Sequence, residues 1–284
     1  MNKMSDTPDN TLPEGQDAGD TSGRRRFLAG AGAACASAAL ISVLGPAVAK
    51  DGPSGSFPTA DFDWEKHNWG YGIDANKCIG CLRCVDACKN ENGVAKDANH
   101  FRTWVERYVY LEGAKRPLID SQSHPDNIAV SAPNASRFDD RYKNEKVEKA
   151  FFVPKMCNHC ENPSCVQVCP TGATFKTKDG AVLVDKEYCI GCQYCVQACP
   201  YGARYFNEIE RRADKCTWCY HRISKGMNPA CVEICPVGAR VFGDMNDKNS
   251  PISQFLKDNR VLSLKPEMGN RPTCYYIGID KEVS

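Results

Sequence analysis

The amino-acid sequence predicts a loop-rich α+β fold of short strands and short helices. Between groups of cysteines, apolar and polar residues alternate over strand lengths, as at residues 103–111 and 174–185. The second segment contains Asp179-Gly180, a dipeptide typical of a hairpin turn. Each cysteine group ends with Cys-x3-Cys, a spacing that suits one turn of helix. Short strands and helical turns are therefore expected to alternate with the cysteines along the chain.

Composition limits what the chain can be. With 284 residues, 42% of them hydrophobic, it can form one or two globular domains. A net charge of +1 gives no basic excess, so no nucleic-acid partner is expected. Eighteen cysteines require a disulfide framework, zinc sites or iron–sulfur clusters.

The N-terminal residues 1–49 are predicted to be a twin-arginine export signal. Arg-Arg-Arg-Phe-Leu at residues 24–28 is followed by an uncharged stretch that ends in Ala-Val-Ala at residues 47–49. Cleavage after Ala49 would release the mature protein into the periplasm. A retained membrane anchor is the alternative, which the glycines and Pro46 within the stretch disfavour. No later segment is apolar enough to span a membrane, so the mature chain is expected to have no transmembrane span.

Sixteen cysteines form a fourfold internal repeat. The groups are Cys78-x2-Cys81-x2-Cys84-x3-Cys88, Cys157-x2-Cys160-x4-Cys165-x3-Cys169, Cys189-x2-Cys192-x2-Cys195-x3-Cys199 and Cys216-x2-Cys219-x11-Cys231-x3-Cys235. Pro-x-Gly-Ala follows the closing cysteine of the last three groups, whereas Lys89 follows that of the first. All sixteen are therefore treated as one set of candidate ligands.

The spacing Cys-x2-Cys-x2-Cys-x3-Cys-Pro is the run found in bacterial ferredoxins. Its first three cysteines ligate one cluster, and the fourth ligates the neighbouring cluster, so such groups act in pairs. Four groups predict four [4Fe–4S] clusters, which use all sixteen thiolates as iron ligands. Zinc would leave the third and fourth cysteines of each group unexplained. Disulfides suit a periplasmic protein, but cysteines two residues apart seldom have the geometry to pair.

The four groups, in this order and with the x11 spacing in the last, resemble the iron–sulfur subunits of the dimethyl sulfoxide reductase superfamily. Subunits of polysulfide, tetrathionate, nitrite and sulfite reduction systems are relatives of this kind. The resemblance implies two ferredoxin-like halves with pseudo-two-fold symmetry within residues 71–245. Residues 50–70 are then a linker and residues 246–284 a C-terminal extension, and residues 112–150 are an inserted surface loop.

The resemblance also implies which cysteines share a cluster, with groups one and four paired and groups two and three paired. The implied ligand sets are site one (Cys78, Cys81, Cys84, Cys235), site two (Cys88, Cys216, Cys219, Cys231), site three (Cys157, Cys160, Cys165, Cys199) and site four (Cys169, Cys189, Cys192, Cys195). We call sites one and two the first half and sites three and four the second half.

The function implied is electron transfer rather than catalysis. The resemblance implies a subunit that relays electrons between an integral-membrane quinone-interacting subunit and a periplasmic redox partner. This partner would be a catalytic subunit of molybdopterin type or a cytochrome. The alternative is a free-standing periplasmic polyferredoxin that serves several partners. No dinucleotide fingerprint is present, and complete cysteine ligation disfavours an open catalytic cluster.

Several residues outside the ligand sets remain open to two interpretations. His159 and His221 lie close to cysteines, and lysines precede the groups at positions 77, 155, 186 and 215. Such residues either tune a cluster potential or are ordinary surface residues. Cys35 lies within the predicted signal, and Cys274 is expected to be a structural or free thiol.

Overall fold

The computed structural model describes residues 62–96, 100–121, 138 and 141–283. The predicted export signal, with Cys35, lies outside the described residues. Strands are β1 (Trp69–Asp74), β2 (Thr103–Leu111), β3 (Leu118–Ser121), β4 (Val147–Met156), β5 (Thr174–Lys176), β6 (Val182–Val184), β7 (Arg204–Asn207), β8 (Arg212–Lys215), β9 (Arg240–Asp244) and β10 (Cys274–Ile277). Helices are α1 (Arg83–Asn92), α2 (Ser164–Gln167), α3 (Tyr194–Gln197), α4 (Tyr220–Ile223), α5 (Ala230–Glu233) and α6 (Pro251–Asp258), with a 3₁₀ turn at Pro266–Met268. This mixture of short elements is the predicted α+β class.

One three-stranded sheet has the order β10-β1-β9. The central strand β1 pairs antiparallel with β9 and parallel with β10, and all six of its residues are buried. Helix α6 covers it: a Cβ on Gly72 would lie 2.8 Å from the ring of Phe255, so only glycine allows this close packing. The C-terminal extension therefore supplies both the covering helix and an edge strand.

A second sheet has the order β3-β2-β4. Strand β2 occupies residues 103–111, which confirms the predicted strand. The prediction that residues 112–150 form an inserted surface loop needs correction, because β3 lies within that range and β4 begins at Val147. A buried ion pair of 2.7 Å between Arg107 of β2 and Asp120 of β3 joins these strands. The apparent loop thus carries an edge strand of this sheet.

The remaining strands form two hairpins, β5–β6 and β7–β8. The first confirms the predicted hairpin, with Gly180 at its turn in the left-handed region (φ +94°). Beside it, the buried Asp179 carboxylate accepts hydrogen bonds from Trp69 Nε1 (3.0 Å) and the Tyr220 hydroxyl (2.6 Å). This carboxylate ties the hairpin turn to β1 and α4.

The cysteines lie in loops and at short helices between these sheets. Helices α2, α3 and α5 are single turns that carry the third cysteine of groups two, three and four, and the closing cysteine follows each of them. The predicted helical turns at the Cys-x3-Cys ends are confirmed. Within the described ranges, no helix has the length and apolar character needed to cross a membrane.

Candidate iron–sulfur sites

The thiols of site one line a common cavity, although one of them is distant in sequence. Cys78, Cys81, Cys84 and Cys235 surround about 340 Å³ of empty space. Gly80 gives the binding loop its shape: it has φ +66°, and a Cβ there would lie 2.5 Å from the Phe152 ring. Burial raises the pKa of Cys78 to about 11, so this thiol needs a metal in place of its proton to become a thiolate.

The thiols of site two line a second cavity. Cys88, Cys216, Cys219 and Cys231 surround about 270 Å³ of empty space. Asn92 Nδ2 donates to the sulfur atoms of Cys88 and Cys219, each at 3.6 Å. All four cysteines are buried. The closing cysteine of group one and the first three cysteines of group four therefore meet around one space.

The thiols of site three act on one another electrostatically. Burial raises the pKa of Cys160, and the neighbouring thiols of Cys157, Cys165 and Cys199 raise it further. Burial also raises the pKa of Cys199, from group three, and the thiols of Cys157 and Cys165 of group two raise it further. The closing cysteine of group three thus lies with the first three of group two.

The thiols of site four are the most open set. Cys195 is buried, Cys169 and Cys189 are half-buried, and Cys192 is exposed. The Thr174 N–H donates to Cys169 Sγ at 3.3 Å. Burial acts to raise the pKa of Cys169, but this bond and those from Thr171 outweigh it, so the pKa is lowered. Among the described residues, no hydrogen bond joins one of these four thiols to another, and only Cys169 has a hydrogen bond to a neighbouring group.

Two buried arginines lie among the thiols, and the sequence interpretation missed both. Arg204 and Arg240 are the first residues of β7 and β9, where each follows a Cys-Pro-x-Gly-Ala run. Extending the recognised repeat by one residue would have revealed them. Arg240 Nη2 donates to Cys84 Sγ at 3.2 Å.

These arginines test whether a sulfur-rich group fits the sites. Arg204 donates from Nη1 to Thr174 Oγ1 at 3.2 Å, but its buried Nε and Nη2 have no acceptor among the described residues. Buried donors normally have acceptors, and cluster sulfur atoms accept hydrogen bonds. No group of three or more potential ligands in the described residues is arranged to hold a single metal ion. A polynuclear cluster fits the residues present.

Comparison with known proteins decides the family. Models of a 4Fe-4S dicluster domain match residues 77–173 and 148–245. The B subunit of tetrathionate reductase from Salmonella typhimurium is 39% identical over 265 residues, 91% of this chain and 89% of that protein. Its counterpart in Archaeoglobus fulgidus is 43% identical over 219 residues, 76% of this chain and 86% of that protein. The iron–sulfur B subunit of a putative dimethyl sulfoxide reductase from Halobacterium salinarum is 36% identical, over 74% of this chain and 79% of that protein.

The chain belongs to the iron–sulfur subunits of the dimethyl sulfoxide reductase family. Two dicluster domains and the sixteen grouped cysteines give it four [4Fe–4S] clusters, as predicted. Its function is electron transfer as a subunit of an oxidoreductase, and a free-standing polyferredoxin is not favoured. Every cysteine in the described part of the chain is a free thiol, as iron ligation requires.

Of the four lysines that precede the cysteine groups, two are buried and two are surface residues. Lys155 and Lys215 are buried, whereas Lys77 and Lys186 are surface residues paired with Asp74 and Glu210. Lys215 Nζ donates to the carbonyl oxygens of Val182 and of Cys216, the latter at 2.6 Å. The lysines before the groups therefore do not form one class.

His159 is fully buried at the seam between groups two and four. Its ring stacks on Trp218 at 3.8 Å between centroids. Nδ1 accepts the Val182 N–H at 2.9 Å, so the proton is on Nε2, which donates to the Cys216 carbonyl at 3.1 Å. Burial lowers the pKa of His159 well below its usual value, and nearby Lys215 adds to this effect. The residue is a neutral, fully buried packing element and not an ordinary surface residue.

His221 and Cys274 complete the set. His221 is half-buried, and its Nε2 lies 2.8 Å from Glu91 Oε1. Cys274 is a buried free thiol of β10, with a pKa raised by burial to about 12. Cys274 agrees with the structural or free thiol that was expected, and His221 is a partly exposed polar residue paired with a carboxylate.

Proposed function

We propose that sites one to four, as defined above, hold the four clusters. The shared cavities of sites one and two and the mutual electrostatic effects within site three support the crossed pairing. Each half then closes with a cysteine taken from the partner group, and this exchange also supports pseudo-two-fold symmetry between the halves. When bound, the clusters accept and release single electrons, so the protein's part is to hold them in order and set their surroundings.

We infer that the four sites form a row from one to four. Arg240 connects site one to site two, since it bonds to Cys84 and to Tyr71, whose hydroxyl lies 3.2 Å from Cys231 Sγ. Sites two and three adjoin where Cys157 raises the pKa of Cys216, after burial and Cys231. Arg204 lies among thiols of sites three and four. The ends of the row are then sites one and four.

The ends of this row suit contact with other subunits. Ile79 is exposed at site one, and Tyr188, Ile190 and Tyr194 are exposed at site four. Exposed apolar side chains that rim a redox centre are typical of a partner surface. We infer that one end contacts a membrane quinone-interacting subunit and the other a periplasmic catalytic subunit of molybdopterin type. The twin-arginine signal at residues 1–49 would deliver the folded subunit to the periplasm.

We propose tetrathionate as the substrate of the assembled complex. The support is that the relatives with 43% and 39% identity are both tetrathionate reductase B subunits. Relatives named for selenate and chlorate reduction are each 33% identical. The substrate would bind the catalytic subunit, and this chain would only carry its electrons.

The crossed pairing is tested by Cys235→Ser with Cys81→Ser and Cys219→Ser as references. Loss of one ligand can leave a [3Fe–4S] centre, which has a distinct paramagnetic spectrum when oxidised. Cys235→Ser should convert the same centre as Cys81→Ser, and Cys88→Ser the same centre as Cys219→Ser. The assignment fails if Cys235→Ser and Cys219→Ser alter one centre while Cys81→Ser alters another. Only variants that keep the other three clusters count, because metal sites contribute folding energy.

The partners and substrate are tested by gentle isolation of the complex from its native membrane. A molybdopterin subunit and a quinone-interacting subunit should copurify, and quinol should reduce tetrathionate faster than selenate or chlorate supplied at equal concentration. Isolation of the chain without either subunit, or a preference for selenate or chlorate, would contradict the corresponding part of the proposal.

The export signal is tested separately by replacing Arg24 and Arg25 with Lys. The variant should remain in the cytoplasm with its iron intact, because the export receptor recognises the arginine pair. Wild-type protein should begin at Lys50 in the periplasm. Delivery of the variant to the periplasm would refute the signal.

A further inference from the structure

Arg204 and Arg240 are buried cations without buried anions of their own. Arg240 is 3% exposed and Arg204 5% exposed. In the described part of the chain, neither guanidinium pairs with a carboxylate. Arg102 provides the contrast, since its buried guanidinium pairs with Asp214 at 2.9 Å. An uncompensated buried charge is costly, so the two arginines need a negative partner that side-chain carboxylates do not supply.

The cysteine sulfur atoms, as thiolates that ligate a cluster, would be that partner for Arg240. Its Nη2 donates to Cys84 Sγ at 3.2 Å and to Thr103 Oγ1 at 2.9 Å, and Nη1 lies 3.4 Å from the Tyr71 hydroxyl. Tyr71 in turn lies 3.2 Å from Cys231 Sγ. A continuous series of polar contacts thus runs from a ligand of site one to a ligand of site two, with the positive charge in the middle.

Arg204 occupies the equivalent place in the second half. It also donates to a threonine hydroxyl, that of Thr174, whose N–H bonds to Cys169 of site four. Thiols of Cys165, Cys157 and Cys195 hold its pKa above the usual value although burial acts to lower it. Its Nε and Nη2 are buried with no acceptor in the described residues. The charge therefore faces ligands of sites three and four.

We propose that Arg240 sets the reduction potentials of sites one and two, and Arg204 those of sites three and four. This proposal rests on the proposed ligand sets. A four-thiolate cluster is negatively charged, and reduction adds a further negative charge. A fixed guanidinium in a low-dielectric interior favours the reduced form more strongly than the oxidised form. Each arginine thereby raises both potentials on its side of the row. Both are positioning residues for electron flow, because they act through the ligands.

The test is a redox titration of the purified holoprotein, followed by electron paramagnetic resonance. Arg204→Gln and Arg240→Gln remove the charge and keep a polar side chain, Arg204→Lys and Arg240→Lys keep the charge, and Arg260→Gln removes an exposed charge as a matched control. In each Gln variant, the two centres of the affected half should become harder to reduce by at least tenfold in equilibrium constant, or 59 mV per electron. The reduction potentials of the other two centres should change by less than a third of that shift. In the two Lys variants, which keep the charge, the potentials should recover more than half of the shift seen in the Gln variants.

Iron content separates this outcome from misfolding. Arg204→Gln is the first choice, because its guanidinium donates to a single protein oxygen, Thr174 Oγ1. A Gln variant with full iron and potentials equal to those of Arg260→Gln would overturn the proposal. Loss of iron from both Gln variants would overturn it in favour of a role in cluster retention.

The ligand sets can fail separately. Centres are identified by the Cys81→Ser, Cys219→Ser, Cys160→Ser and Cys192→Ser conversions. The Cys235→Ser and Cys88→Ser conversions test the crossed ligand sets without any arginine variant, so those sets can fail while the arginine effect stands. A shift in two centres of different halves would instead overturn the assignment of each arginine to one half.

Discussion

The two proposed halves of the protein are built from cysteine groups of the same kind but differ in how well they exclude solvent. In the first half, five of eight cysteines are buried and none is exposed. In the second half, three of eight are buried and Cys192 is exposed. The first half adjoins the β10-β1-β9 sheet and its covering helix α6, whereas the second half is flanked by the short hairpins β5–β6 and β7–β8 and by the irregular segment that precedes β10. The repeated motif thus determines the ligands, and the added strands and helix determine their burial.

The two buried arginines, Arg240 and Arg204, also differ between the halves, in the number of their polar partners. Arg240 has oxygen or sulfur partners in Tyr71, Thr103, Met156 and Cys84. Arg204 has one oxygen partner, Thr174, within the described residues. A cluster in the second half must therefore supply more of the acceptors for its arginine, and it should respond more strongly to changes in hydration.

The largest expected effect is on the free energy of unfolding, and it concerns helix α6, which covers the first half. Phe255→Ala should reduce the free energy of unfolding by about 3–5 kcal/mol, because a buried ring is replaced by a cavity against Gly72. Chemical denaturation without oxygen measures this change. Met268→Ala, at a half-exposed side chain, is the control and should change stability by less than about 0.5 kcal/mol. Equal effects of the two substitutions would show that α6 does not stabilise the half it covers.

An intermediate effect is expected on the rate of iron loss. With an iron chelator under mild oxidation, site four should lose its signal roughly tenfold faster than site two, because solvent access to a metal site is limited by its surrounding shell. Time-resolved paramagnetic spectra measure the order of loss, with Cys192→Ser and Cys219→Ser to identify the centres. Equal rates would remove the proposed link between thiol exposure and cluster lability.

The smallest expected effect is on the pH dependence of stability. It concerns His159, which lies between groups two and four and must stay neutral. The folded state lowers its pKa, so the unfolded chain binds more protons below pH about 6.5. The contribution of neutral His159 is thus complete above this pH and is lost as pH falls, by at most about 1.4 kcal/mol per pH unit. Between pH 7.5 and 5.5, the thermal midpoint should fall further in wild type than in His159→Gln. A parallel fall in both proteins would contradict this role of His159.

The cysteine repeat and the local turns could be predicted from the sequence, whereas the strand and helix that pack on them from the C-terminal extension could not. Cysteine spacing indicated the cofactor and the candidate ligands because cluster geometry restricts the sequence directly. The hairpin at Asp179-Gly180 was predictable because few residues fit such a turn. Strand β10 and the covering role of α6 were not, since pairing between β1 and β10 leaves no local pattern. The burial of Lys215 and His159 was likewise decided by distant packing against Val182 and Trp218.

The parallel pairing of β1 with β10 has a consequence for synthesis of the protein. Strand β1 emerges from the ribosome early, but its partners Val241, Phe242 and Cys274 come about 170 to 200 residues later. At 5–20 residues per second, the central strand waits roughly 10 to 40 seconds for its neighbours. A prematurely terminated chain could not complete this sheet. Its unpaired, apolar central strand would distinguish it from a finished chain and make it a substrate for chaperones and proteases.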